Sequence, residues 1–463
     1  MKLYDTLSRE IEEFKPINPP KVGMYICGPT VYDYAHIGHS RTYINSDILI
    51  RVLRWLGFRV KSVMNITDVG HLTSDADEGE DKMEKKAKTE NKNILEIAKF
   101  YTDDFWQMEQ ELNIIRPEIV TPATQYIEEM IKLIKKLEQK GFTYQTKDGI
   151  YFDTSKLKNY GQLARLDIAG LREGWRVEKR EKKNPTDFAL WKFSPSSSVD
   201  GSRQARRQLE WSSPWGIGFP GWHIECSTMS MKHLGESLDI HTGGVDHIPV
   251  HHTNEIAQSE AATGKQFVKY WFHSGFLMVE GEKMSKSLGN FIRLQDLIDQ
   301  GYEPMSLRYL FLTSHYRTTV NFTWEALKAS QEAYRKLKAI VAGWQGEKER
   351  TILSEEKLAK LQGLSLKFRE AVENDLNLPQ ALAVVWEMAK SNIPSRDKLE
   401  LISDWDQILG LDLLKIKKIP EEIIQLIKQR EELRKQKKWE EADELRKKIE
   451  KKGFKVKDTK TRA

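Results

Sequence analysis

Between residues 22 and 66 the apolar positions change period twice. Residues 22–27 form a short apolar run closed by Gly28-Pro29, which predicts a strand followed by a turn. From Gly38 to Leu56, Ile44, Ile48, Leu49, Val52, Leu53 and Leu56 recur at helical spacing, and Gly57 follows as a C′ glycine would. Residues 60–66 read as a second strand. The unit is βαβ, so the loop 29–39 opens a helix whose free N–H groups and dipole favour anions.

Further on, the acidic residues of 75–90, followed by a lysine run, predict an exposed loop leading into a helix. Helical patterns cover 91–112 and 121–141, and 142–153 resembles a hairpin around Lys147-Asp148-Gly149. The stretch 194–208 is polar and low in complexity. Residues 238–241 predict a strand ending in Gly243-Gly244, and 250–263 a helix stopped by Gly264. The βα pattern thus recurs about 200 residues after its first appearance, as two halves of one doubly wound sheet split by a long insertion would. Beyond Phe322 the pattern is almost wholly helical, with a linker near 416–420.

Composition narrows the class. The 463 residues are enough for two to four domains. With 39% hydrophobic and 30% charged residues the chain is too apolar for disorder and too polar for a membrane protein, and no run reaches the length of a spanning helix. The first 14 residues carry Asp5, Glu10, Glu12 and Glu13 and no apolar core, which reads as no signal peptide. Two cysteines make no disulfide framework, so a reducing cytoplasm is expected. The net charge of +5 is uneven. Residues 415–463 hold 18 Lys/Arg against 10 Asp/Glu, leaving −3 on the first 414. A basic end on a near-neutral body suggests a polyanion partner, although a solvated helical surface has the same composition.

Three groups of residues carry chemistry. His36 and His39 flank Ile37-Gly38 at the predicted helix start, and suit a phosphate-bearing ligand. Lys283 and Lys286, with Ser285 and Ser287 between Gly281 and Gly289, place two ammonium groups where they can clamp a triphosphate. Alone, each string is a common surface sequence. Third, six of the eleven histidines fall between His223 and His252, and His251 and Glu255 share a helix face at i, i+4. Cys27, Cys226, His251 and Glu255 are a plausible zinc set. Spacing leaves equally open that both cysteines are small buried hydrophobes and the histidines are dispersed.

His36-Ile37-Gly38-His39 in one βαβ half, with Lys283-Met284-Ser285-Lys286-Ser287 about 250 residues later, resembles the paired signature of class I aminoacyl-tRNA synthetases. Cys27-Gly28-Pro29-Thr30-Val31-Tyr32-Asp33, Asn65-Ile66-Thr67-Asp68, Gly221-Trp222-His223-Ile224-Glu225-Cys226, and His251-His252 with Glu255 resemble the cysteinyl-tRNA synthetases among them. The likeness runs through Ser287, and more loosely over the helical C-terminal region.

The resemblance implies one zinc on Cys27, Cys226, His251 and Glu255, binding the substrate thiolate. It implies a cysteine pocket with Gly28, Thr67, Trp222 and His241, and ATP, with Mg²⁺, held by His36, His39, Gly243, Gly244, Asp246 and Lys286. The catalytic assignments are His36 and His39 for charge on the phosphates, and Lys283 and Lys286 for the leaving pyrophosphate. The partners implied are tRNA(Cys), L-cysteine and ATP, with no membrane, and the family suggests a monomer. Three departures stand out: Thr253 replaces a common glutamate, the turn His241-Thr242-Gly243-Gly244 is less glycine-rich, and 194–208 is longer than expected.

The expected fold is an α/β Rossmann-type catalytic domain with an inserted connective domain, then an all-α bundle and a small C-terminal anticodon-binding domain. The expected bounds are 1–115 and 210–265 for the Rossmann halves, 116–209 for the insertion and 266–321 for the module bearing the Lys283–Lys286 loop. The bundle is expected at 322–414 and the basic domain at 415–463. A metal that reads the thiol directly makes an editing domain unnecessary, so the insertion reads as a structural and acceptor-stem element. Two rivals are a ligase joining cysteinyl-adenylate to a small amine, and an inactive paralogue that only binds RNA. The long helical extension argues against the first, and the intact chemical residues against the second.

Overall fold

The computed structural model describes residues 1–69, 82–166, 182–194, 207–285, 288–346, 352–415 and 421–451. Lys286, Ser287, most of 194–208, the acidic stretch 75–81 and the linker 416–420 lie outside the described residues. The chain divides into two compact units, Met1–Asp412 and Leu413–Ala463. Among the described residues, no helix is long and apolar enough to cross a membrane.

In the first unit, five strands form one parallel sheet in the spatial order Val268–Ser274, Leu238–Gly244, Lys21–Ile26, Arg59–Ile66, Ile119–Pro122. Counted along the chain, the order is doubly wound, with the direction of winding reversing between Lys21–Ile26 and Leu238–Gly244. There Ile240 lies opposite Met24, so the two halves inferred from the repeated βα pattern do meet. Every residue of Leu238–Gly244 is buried, the polar Asp239, His241 and Thr242 included, as in a strand covered on both faces. Helix Ile37–Trp55 packs on the sheet through Ile44, Ile48, Leu49, Val52 and Leu53. Helix Trp222–Leu234 packs on it as well, and Ile224, Cys226 and Met229 share a core with Tyr25, Cys27 and Val63.

The insertion is a five-stranded antiparallel sheet: Thr143–Gln145, Gly149–Phe152, Phe188–Phe193, Gly216–Pro220, Trp211–Ser213. Its first two strands are the expected hairpin. Both expected edges of the insertion need correcting. Ile119–Pro122 pairs with Val63–Ile66 in the parallel sheet, so position 116 is too early. Trp211–Ser213 and Gly216–Pro220 complete the antiparallel sheet, so 209 is too early as well.

Two helical expectations also shift. In place of one helix over 121–141 there is the strand Ile119–Pro122, a tight turn Ala123–Tyr126 and the helix Ile127–Gln139. β-Branched Ile119, Val120 and Thr121 favour extension, and the Asp68 carboxylate holds the turn by accepting from Thr124 N and Oγ1 at 2.9 and 2.6 Å. The helix expected from 250 begins as a wide turn, Ile248–His252, and becomes regular only over Thr253–Thr263.

A small sheet follows, with Leu277–Val279 between Glu282–Lys283 and Val320–Phe322. Four helices, Trp324–Gln345, Glu355–Glu373, Leu378–Lys390 and Ser395–Leu409, complete the unit, with Phe368 stacked on Trp405 at 4.4 Å. Among its described residues the second unit holds two helices, Glu421–Lys435 and Trp439–Lys451, that pack on each other with Ile423, Ala442 and Ile449 buried.

Candidate active site

A doubly wound sheet leaves a crevice beyond the C-terminal ends of its strands at the point where the winding reverses. Here the chain leaves Lys21–Ile26 into Cys27-Gly28 and leaves Leu238–Gly244 into Val245-Asp246, and both exits border a cavity of about 410 Å³. Gly28 is obligatory in this crevice. Its N–H donates to Asn65 Oδ1 at 2.7 Å, and a Cβ there would lie 1.8 Å from the Asn65 carbonyl oxygen. Gly28→Ala should therefore cost about 1–3 kcal/mol, as overpacking does, and distort the cavity wall. Thermal melts check this, and an unchanged Tm would show that the strands part at no cost.

His36 and His39 sit at the start of helix Ile37–Trp55, and they cap it. His36 Nδ1 accepts from the N–H groups of Gly38 (3.0 Å) and His39 (3.4 Å), while His39 Nδ1 accepts from His36 N–H at 3.1 Å. The rings stack with centroids 3.8 Å apart. With both Nδ1 atoms accepting, each neutral ring carries its proton on Nε2, so each has a donor left for a ligand. Burial, only partly opposed by Asp246, lowers the His36 pKa to about 4, so it is a neutral donor near pH 7. Both rings border the cavity, as do Gly244 and Asp246.

At the other end lie the two thiols. Cys27, Cys226 and His251 are buried and offer ligand atoms within 4.8 Å of one another. His251 Nδ1 is 3.0 Å from His223 Nδ1, which turns its Nε2 toward Glu255 Oε1 at 3.1 Å. Those last two atoms are buried, and neither makes a hydrogen bond. The other carboxylate oxygen, Glu255 Oε2, is 3.0 Å from His241 Nε2. Helical spacing brings His251 and Glu255 together as expected, and the reversal of winding brings Cys27 to the pair.

Without a cation, burial keeps both thiols protonated. Burial, with Cys27 and Glu255 adding to it, pushes the Cys226 thiol well up. The Cys226 contact draws Cys27 down, but burial and the Glu255, Asp246 and Glu225 carboxylates outweigh it and raise its pKa. Burial opposes charge on His251 too, yet Glu255 and Cys226 lift it to about 10. Against burial, His241 and His251 hold Glu255 at about 2. A dication among these groups supplies the positive charge that the thiols need to ionise. Two thiols, an imidazole nitrogen and a carboxylate oxygen are a donor set that fits tetrahedral zinc.

Other expected residues are placed less directly. Trp222 borders the cavity, its ring 4.4 Å from that of His251. Thr67 and His241 are fully buried and do not border it: Thr67 Oγ1 accepts from Asn65 Nδ2 (3.1 Å) and donates to Glu225 Oε2 (2.8 Å). Gly243 does not border it either. Lys283 is exposed on the two-residue strand Glu282–Lys283, while the next residues, Met284 and Ser285, reach the cavity wall.

Several residues escaped sequence reasoning. His223 holds His251, Glu225 holds Thr67, and Tyr101, Phe105 and Phe291 line the cavity. His223 and Glu225 stand inside a quoted motif and were the legible ones. The three aromatics come from remote segments with no distinguishing pattern.

A family model described as the class I (C) tRNA synthetase catalytic domain matches residues 13–332, and one for the cysteinyl-tRNA ligase anticodon-binding domain matches 417–463. The chain belongs to the cysteinyl-tRNA synthetase family. A DALR domain model matches 367–392, within the helical region. Cysteine--tRNA ligase 1 of Burkholderia lata is 47% identical over 99% of this chain and 95% of its own length. The Treponema denticola cysteine--tRNA ligase is 45% identical over 99% and 98%. Among solved structures, methionyl-tRNA synthetase of Mycobacterium tuberculosis with methionyl-adenylate aligns with a TM-score of 0.56 at 16% identity, covering 84% of this chain and 89% of that one. A LeuRS–tRNA–LeuAMS complex from Agrobacterium radiobacter gives 0.61 at 11%, covering 86% and 84%. These two establish the class I fold alone. As a cysteinyl-tRNA synthetase the chain is an enzyme, a cysteine–tRNA ligase, and the family's substrates are cysteine, ATP and tRNA.

Proposed function

We propose that this enzyme joins L-cysteine to tRNA(Cys) through a cysteinyl-adenylate, and selects cysteine with a zinc held by Cys27, Cys226, His251 and Glu255. The observation that carries the reading is the convergence of Cys27, Cys226 and His251, with Glu255 Oε1 3.1 Å from His251 Nε2, where Cys27 meets the cavity that His36 and His39 border. Zinc, when bound, prefers a thiolate to a neutral hydroxyl and so separates cysteine from serine where an apolar pocket cannot.

The chain's own groups do the rest. Gly28 and Trp222 border the place where cysteine lies, and Thr67 and His241 fix that floor through Glu225 and Glu255. Gly244 and Asp246 face the nucleotide, and Gly243 supports them from behind in the same turn. The Nε2–H donors of His36 and His39 point to charge developing on the α-phosphate as the cysteine carboxylate attacks it. Lys283 and Lys286 receive the pyrophosphate as it leaves, and Mg²⁺ accompanies ATP. Positioning and charge stabilisation dominate such phosphoryl chemistry. In the second step the terminal ribose hydroxyl of the tRNA attacks the adenylate carbonyl and releases AMP.

The division of labour follows the fold. Residues 1–122 and 221–274 make the Rossmann halves, since the strand Val268–Ser274 carries the second half past the expected 265; 123–220 make the insertion, 275–321 the module with Lys283, 322–412 the bundle, and 413–463 the anticodon-binding unit. Truncation after residue 415 is expected to leave cysteine-dependent ATP–pyrophosphate exchange near its full rate and to reduce tRNA charging. The loss should be largest at low salt and narrow as salt rises, because the contacts removed are those of a basic end with phosphates. Charging at full efficiency at physiological salt would refute the assignment. The whole reading is tested by aminoacylation of total tRNA scanned over all twenty amino acids: cysteine alone should be accepted, and charging with any other amino acid in its place would overturn it.

A further inference from the structure

Arg41 lies just past the first turn of the helix that His36 and His39 cap, and its side chain is almost fully buried, yet it makes no ion pair among the described residues. Its guanidinium instead donates to five backbone carbonyls on two segments. NH1 bonds the carbonyls of Gly275 and of Phe276 (3.0 Å). NH2 bonds those of His315 (3.2 Å), Tyr316 (3.3 Å) and Thr318 (2.5 Å). Burying a charge for carbonyls alone is expensive, so the geometry they adopt around it is strongly specified.

Those two segments are the roots of the small sheet. Gly275-Phe276 runs directly into Leu277–Val279, whose Met278 pairs with Lys283. Thr318 lies two residues before Val320–Phe322, the parallel partner of the same strand. The segments are laced together as well, by Gly275 N to Tyr316 O (2.8 Å) and Val320 N to Phe276 O (2.9 Å). A side chain at 275 would collide with the carbonyl oxygens of Arg317 and Thr318 at 2.6 and 2.5 Å. From behind, Asp375 clamps the loop: its carboxylate accepts from Tyr316 OH (2.7 Å) and Arg317 Nε (2.8 Å), and its carbonyl oxygen is 2.8 Å from His315 Nε2. The far side of the Lys283 hairpin returns to the same helix turn, where Ile37 N–H donates to Ile292 O at 2.9 Å.

We propose that Arg41 is a positioning residue, which sets the Lys283 hairpin against the His36–His39 turn so that the two act on one triphosphate. The hairpin is held at both roots, through Arg41 on the entering side and through Ile37 on the returning side. Only a planar fork of five donors reaches both segments at once, which a lysine ammonium cannot do. The inference rests on the role given above to Lys283.

Arg41→Lys keeps the charge and loses the fork, and Arg41→Gln is a milder second variant that still donates to one segment. In the full-length enzyme, single-turnover adenylate formation should slow by about 10²-fold in Arg41→Lys, the scale of a small misplacement of catalytic groups. The KM for cysteine should stay within about threefold, because its pocket lies at other strand ends. The deciding readout is a double-mutant cycle with Lys283→Ala. If Arg41 acts through the hairpin, the double variant is no slower than the slower single one. Independent, multiplying losses would overturn the proposal and leave Arg41 a merely structural residue. Equal losses in the handling of cysteine and ATP would overturn it too. A Lys283→Ala enzyme with normal adenylate formation would instead remove the role of Lys283, and this inference with it.

Discussion

Cys226→Ser should give a folded, metal-poor enzyme that has lost most of its cysteine activation. Serine nearly matches the volume of this buried side chain, so the core around Tyr25 and Met229 should keep its packing. What disappears is the thiolate, and a four-ligand site falls to three good ligands. Disturbing even a supporting contact of a metal ligand typically costs 10–100-fold in affinity or activity. Loss of the ligand itself should exceed that, at more than about 10²-fold in cysteine-dependent exchange. The defect should fall on the cysteine KM as well as on the rate, since substrate sulfur and Cys226 address one ion. ATP affinity should hardly move, because the Nδ1 caps that aim His36 and His39 lie in the helix turn and involve no metal ligand. His223→Ala, which frees His251 Nδ1, should show a smaller version of the same defect. Metal content, Tm and exchange kinetics on the two variants check this. A folded, zinc-free Cys226→Ser enzyme that activates cysteine normally would end the metal's proposed role.

The second large effect should come from His36, where one ring does two jobs. His36→Ala removes a helix cap, at about 0.5–2 kcal/mol of stability, and also a phosphate donor. Removing one preorganised donor costs about 10²–10³-fold in rate. His36→Asn separates the two. Asparagine is a preferred N-cap, so Tm should recover while adenylate formation stays slow, since the amide is too short to replace Nε2–H. If His36→Asn restored the rate along with the Tm, the histidine would be only a cap. Urea or thermal unfolding beside single-turnover adenylate formation decides between the outcomes.

What could be read along the chain was whatever depends on short range. The helix over Ile37–Trp55, the strand Arg59–Ile66 and the hairpin Thr143–Phe152 follow from periods and turn residues within about 20 positions. His251 and Glu255 were legible as a pair for the same reason. That Cys27 joins them was not legible from spacing, because it depends on Leu238–Gly244 lying beside Lys21–Ile26 in the sheet. Family resemblance supplied that link, and the parallel register carries it physically. The helix misplaced over 121–141 failed where a buried carboxylate, Asp68, holds a turn from more than 50 positions away. Thr67 and His241 illustrate the same limit: their motifs were visible, but their hydrogen bonds to Glu225 and Glu255 place them behind the cavity wall. Arg41 gave no signal at all, since among the described residues its hydrogen-bond partners are backbone carbonyls, which every residue has.

The most direct test compares cysteine with serine in ATP–pyrophosphate exchange, using full-length enzyme of measured zinc content. With one zinc bound, kcat/KM for cysteine should exceed that for serine by about 10⁴-fold or more, the range reached when a site binds the distinguishing group directly. Removal of the zinc should collapse that ratio through loss of the cysteine reaction. Serine accepted at a comparable rate by the zinc-loaded enzyme, or undiminished cysteine exchange without zinc, would contradict selection by a metal that reads the thiol.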